Sequence, residues 1–136
     1  MSWNIMIPQE EIQKKITVKT VEFAEEFGKY LARIEEGTSP LTTTQLRKFF
    51  GEVKRQQMTG YDDTEFVMLK PKLAYAVGRA KQNGRGRAYQ KIEDFYKVMA
   101  DAIDKVVVCP DKDMAFRNFI TAFEAIVAYH KAAEKK

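Results

Sequence analysis

Apolar residues recur every three to four positions along nearly the whole chain, and no segment sustains a period of two. That spacing gives each stretch one apolar face and predicts helices rather than strands. A first helix is predicted over Glu10–Glu36, with Ile12, Ile16, Phe23, Phe27, Tyr30 and Ile34 on one face and Gly37 and Pro40 stopping it. The β-branched run Ile16–Val18 weakens its N-terminal half, which allows a later start. A second helix is predicted over Thr43–Gln57, with Leu46, Phe49, Phe50 and Val53 as its stripe. Thr42 followed by Gln45 is a capping-box pattern, and "TGYDD" at Thr59–Asp63 is a break. A third covers Thr64–Gln82, with Leu69, Leu73, Ala76, Val77 and Ala80 inward. Pro71 lies inside that pattern, so it must kink the helix or mark a first turn. "NGRGR" at Asn83–Arg87 reads as a loop. A fourth helix covers Ala88–Val107, with Ile92, Phe95, Met99 and Ile103 inward, and ends before Cys109-Pro110. A fifth covers Lys112–Ala133, capped by Asp111, with Phe116, Phe119, Ile120, Phe123, Ile126 and Val127 inward.

Five amphipathic helices joined by short loops imply an all-α fold, a compact bundle in one domain over residues 1–136. No run of about 18 apolar residues exists, so no membrane partner is expected. The opening "MSWNIMIPQEEIQKK" lacks the basic and apolar regions of a secretory leader. Cys109 is the one cysteine, which excludes an internal disulfide and fits a cytoplasmic setting.

Little in the chain suggests catalysis, a cofactor or a metal. His130 is the one histidine and follows Phe123 and Val127 at helical spacing, which reads as a partly buried residue near a helix C-terminus. Cys109 has no basic neighbour closer than Lys105 and Lys112 in sequence, and reads as a structural thiol. Asp62, Asp63 and Glu65, and likewise Asp111 and Asp113, precede helices, where acids serve capping and the helix dipole. Neither group supplies the ligand spacing of a calcium loop, and no phosphate-binding glycine loop follows a strand.

Charge changes the picture. The net charge is +4, but Leu41–Lys91 holds eleven Lys/Arg against four acids, leaving the rest of the chain at −3. On the second helix Arg47 and Lys54 share one line, and Lys48 and Arg55 share the next, all away from the apolar stripe. Gly51 sits between these lines, where a phosphodiester or another helix has room to approach. On the third helix Lys72 and Arg79 lie seven apart beside Tyr75, while Lys70 and Lys81 flank the apolar face. Arg85 and Arg87 carry the charge into the loop. From Leu69 to Arg87 there is no acid at all. Such rows suit a nucleic-acid backbone, with Tyr61, Tyr75 and Tyr89 available to stack on bases. The plainer reading is a solvated basic face. A third is a scaffold module whose basic face meets an acidic protein partner.

Three stretches carry a family resemblance: "PLTTTQLRKFF" (Pro40–Phe50), "LKPKLAYAVGR" (Leu69–Arg79) and "FEAIVAYHKA" (Phe123–Ala132). In order, spacing and chain length the sequence resembles the small subunit of type III-A CRISPR effector complexes, the Csm complex. That resemblance implies a small helical bundle without catalytic activity, stacked in several copies in a crRNA-guided ribonucleoprotein. Its implied partners are target RNA, crRNA and the other Csm subunits; self-association of the free subunit is left open. Carried onto this chain, the motifs imply RNA contacts by Arg47, Lys70, Lys72 and Arg79. Lys48, Lys54, Arg55, Arg85 and Arg87 rest on the surface argument alone.

Overall fold

The computed structural model describes residues 3–84, 86 and 88–134. Its helices are α1 (Gln9–Gln13), α2 (Val18–Ala32), α3 (Thr43–Thr59), α4 (Asp63–Val67), α5 (Leu69–Asn83), α6 (Gln90–Val107) and α7 (Lys112–Ala133). No strand occurs among the described residues. Glu35 and Thr38 form an isolated bridge across the turn at Gly37, whose φ of 82° favours glycine.

The five long helices α2, α3, α5, α6 and α7 stand where five were expected, and α7 has the predicted bounds. The first and third predicted helices are each broken in two, and both breaks have a local cause. In the first, the N-terminus of α2 is satisfied from outside the helix. The Thr17 hydroxyl accepts from the Lys19 N–H at 3.2 Å. Glu11 of α1 is buried, and its carboxylate accepts from the backbone N–H and the hydroxyl of both Thr17 and Thr20, at 2.7–3.2 Å. Burial alone would raise this carboxyl's pKa; the bonds from Thr20 and Thr17 outweigh it and hold the group below its ordinary value. Ile34, expected inward, lies beyond the end of α2 and is exposed. In the third, Asp62 caps α4 by accepting from the Glu65 N–H at 2.9 Å, and a new helix starts at Leu69. Pro71 thus falls in the first turn of α5, where its missing N–H costs no bond.

Thr42 and Gln45 form the predicted capping box of α3, and Asp111 caps α7 through the Met114 N–H. The contacts fix the helix directions. Lys14 meets Asn118 and Gly28 meets Tyr129 and His130, so α2 and α7 run parallel. Leu41 meets His130 and Phe49 meets Phe123, so α3 runs antiparallel to α7. Lys70 meets Asp104 and Lys81 meets Glu93, so α5 runs antiparallel to α6.

The core joins two aromatic clusters. Phe66, Phe116, Phe119 and Phe123 pack with ring centroids 5.1–6.2 Å apart under α4 and α7. Trp3, Phe23, Phe27 and Tyr30 pack at the far side, on α2. Each such ring pair contributes about 0.5–1.5 kcal/mol beyond its buried area. Beside the second cluster lies a buried charged network. Asp94 accepts from the Trp3 N–H, the Gln90 amide and the Tyr30 hydroxyl. Burial and this Asp94 contact push the Tyr30 phenol above its ordinary pKa. Lys91 pairs with Glu35, its Nζ 3.6 Å from the Tyr30 ring centroid. The network ties the N-terminal segment and the end of α2 to α6.

His130 is fully buried rather than partly so, and its Nε2 meets the Leu41 carbonyl. A carbonyl only accepts, so Nε2 carries the hydrogen. This bond fastens the segment ahead of α3 to α7. Cys109 is buried, with its thiol 3.8 Å from the Gln13 carbonyl.

Candidate nucleic-acid interface

Helix α3 rests on α7 and α5 rests on α6, and between α3 and α5 the surface opens into a groove of about 1030 Å³. The two helices are antiparallel walls. Lys48, Gly51 and Glu52 line the groove from α3 and Lys72, Ala76 and Arg79 from α5, with Lys72 reaching Glu52 across it at 3.5 Å. Ile92 and Phe95 of α6 lie at the bottom. Beyond Gln45 and Asn83 the groove runs into a second recess of about 250 Å³ beside Ser39 and Ala88, where the Ser39 N–H donates to the Ala88 carbonyl at 3.2 Å. Ala76, Ala80, Phe49 and Phe50 were all expected inward; they are half-buried, and all but Phe50 line this groove. α3 and α5 do not close over them.

The acid-free run Leu69–Arg87 is less bare in space than in sequence. Its lysines find carboxylates on other helices: Lys70 with Asp104 at 2.7 Å, Lys72 with Glu52 at 3.5 Å and Lys81 with Glu93 at 3.0 Å. Hydrogen bonding to Glu93 raises the Lys81 pKa. The second helix is likewise divided. Arg55 holds Glu52 at 2.7 Å and Glu65 at 3.0 Å, and Lys54 approaches Glu124 of α7 at 3.7 Å. Arg47, Lys48 and Arg79 have no carboxylate within 4 Å among the described residues, and all three are exposed.

Glu52 is the hinge of this electrostatic layout. Hydrogen bonds from Arg55, then Gln56, together with the nearby charge of Lys72, pull its carboxyl down to about 2. It therefore stays ionised at neutral pH and neutralises part of Arg55 and Lys72 at one end of the groove. The uncompensated Lys48 and Arg79 line the same groove, one on each helix.

The nine sequence candidates thus separate by position. Lys48, Lys72 and Arg79 line one groove. Arg47 is exposed outside the groove lining, and Lys54 leans over Phe50 toward α7. Lys70 is turned to α6 and Arg55 to α4. Arg85 and Arg87 lie outside the described residues. Of the three tyrosines, Tyr61 is half-buried in the Phe66–Phe116 cluster with its hydroxyl on Asp63, and Tyr89 is half-buried beneath Lys81. Tyr75 is 69% exposed, lines the groove and has the Arg79 guanidinium 6.0 Å from its ring centroid.

Gly51 faces the groove with open space around it: a Cβ built there meets nothing within 4 Å. Sequence reasoning missed the groove itself. Ala76, Ala80 and Gly51, small residues on two facing helices, were its one available signal. No group of three or more His, Cys, Asp or Glu placed to hold a metal occurs among the described residues. No described helix is long and apolar enough to cross a membrane.

No curated protein and no solved structure matches the chain. A family model, Csm2 Type III-A, matches residues 14–136, which takes in all three stretches that carry the resemblance and every helix from α2 onward. The chain belongs to the Csm2 Type III-A family, small subunits of the type III-A CRISPR Csm complex.

Proposed function

We propose that this subunit is a non-catalytic RNA-backbone grip within its complex, and that the walls of the α3–α5 groove are where it holds the strand. The target RNA is the first candidate, with crRNA the second. Several copies stack along the assembly, each adding a few phosphate contacts. The observation that carries this reading is the pairing pattern of the cations. Among the described residues Arg47, Lys48 and Arg79 are exposed without carboxylate partners, and two of them line one groove from different helices. A cation already paired must exchange one anion for another, which gains little; an unpaired one gains the full attraction and releases a condensed counterion from the RNA. Lys72 ranks below these three because Glu52 shares it, and Lys70 below Lys72 because its ion pair with Asp104 is short.

Such a grip is independent of sequence and sensitive to salt. Each phosphate contact to a single strand adds about 0.7 to the slope of log K against log salt. The test is a salt titration of the full chain with a short unstructured RNA. The variant Arg47→Glu/Lys48→Glu/Arg79→Glu should lose binding at low salt while keeping its helical circular dichroism. Unchanged affinity of this variant would refute the assignment of the surface.

A further inference from the structure

We propose that the α3–α5 groove receives unpaired bases of the RNA whose phosphates meet its rim, which makes it a base-stacking site as well as a backbone grip. This rests on the RNA reading above.

The groove offers two kinds of surface. Its cations are on the two walls, at Lys48 and Arg79, with Lys72 at one end. Between the walls the surface is apolar: Phe49, Ala76 and Ala80 are half-exposed there, over Ile92 and Phe95. A phosphate seated on that floor would lose its water and gain no donor. A base loses little by the same move, because its faces are weakly hydrated and its polar groups lie at the edge. Tyr75 stands exposed at the groove with Arg79 beside its ring, a pairing of aromatic face and guanidinium that suits a flat heterocycle. Gln45 and Asn83, at the end away from Lys72, add amide donors and acceptors of the kind that meet base edges. At about 1030 Å³ the groove has room for more than one base.

An amphipathic protein helix would also cover an apolar floor. It would have to carry acids along both flanks to satisfy cations on both walls. An RNA strand has that character at every nucleotide: anionic backbone outside, flat rings within reach of the floor. Paired bases are already stacked and cannot splay onto the floor, so the bases the groove takes are unpaired ones. Every base has a π-face, so the site tolerates any sequence.

The experiment compares the full chain's affinity for a short oligouridylate with that for an abasic ribose-phosphate strand of equal length, at one salt concentration. The base-bearing strand should bind about tenfold or more tightly. Ala76→Leu, which fills the groove from a half-buried position, and Tyr75→Ala should each lower the ratio of base-bearing to abasic affinity toward one. Ala80→Leu, one turn on, is the second filler, and circular dichroism checks that each variant is folded. Equal binding of the two strands, with no effect of the fillers, would overturn the base-stacking inference while leaving the phosphate grip standing. Failure of both strands to bind would remove the RNA reading itself. Fillers that leave RNA affinity intact but release the subunit from its complex would overturn the inference in favour of a protein helix in the groove.

Discussion

Gly28 and Gly51 each sit well inside a helix, where glycine costs about 1 kcal/mol relative to alanine, yet they face opposite surroundings. At Gly28 the α2–α7 seam is so close that a Cβ would stand 2.7 Å from the backbone nitrogen of His130 and 2.9 Å from the Tyr129 Cβ. At Gly51 the α3–α5 space is so open that a Cβ would meet nothing within 4 Å. The same residue type thus marks a close helix approach in one place and a gap in the other. The seam spends its glycine on packing. The gap has no packing reason for one, which turns attention to what enters from outside.

The two regions should break differently. The largest effect is expected at the seam: Gly28→Ala forces a backbone shift and should destabilise by about 1–3 kcal/mol, as overpacked sites do, read as a lower midpoint in urea unfolding. Acid should act next, at both regions. Glu11 holds the start of α2 and Glu52 links α3 to α5, and both carboxyls have folded-state pKa values below the unfolded 4.5. A depressed carboxyl contributes stability above its unfolded pKa and loses it as pH falls through the folded value. Glu52→Gln should therefore be less stable than the parent by about 1 kcal/mol at pH 6, with the gap closing toward pH 2 in thermal unfolding. The smallest effect has the opposite sign. Gly51→Ala should stabilise the fold by up to about 1 kcal/mol, because the added methyl meets no neighbour and the helix gains propensity. A destabilised Gly51→Ala would mean that the groove is not open there.

How far the sequence could see follows the same division. Periodicity placed the five long helices, and capping chemistry at Thr42–Gln45 and Asp111 placed two of their starts, because both signals are local. The breaks at 14–17 and at Met68 were hidden because apolar spacing runs on across them, while the side-chain bonds that start the new helices, from Thr17 and Thr20 to Glu11 and from the Glu65 N–H to Asp62, leave that spacing unchanged. The buried Lys91, paired with Glu35, and the buried Asp94 gave no signal because charged residues in a helical pattern read as surface. Among the candidate contacts, the sequence located the basic region but could not separate its paired cations from its unpaired ones. The acid-free run from Leu69 looked uncompensated only because Glu52, Glu93 and Asp104 lie on other helices.

That ranking is the central claim, and a matched pair of double variants tests it most directly. Lys48→Gln/Arg79→Gln and Lys70→Gln/Lys81→Gln each remove two positive charges, the first pair unpaired at the groove and the second already paired to α6. RNA affinity should fall by tenfold or more for the first, with the salt slope reduced by about 1.4, and by about twofold or less for the second. Equal losses in the two variants would contradict the account, since binding would then follow net charge alone and not the groove.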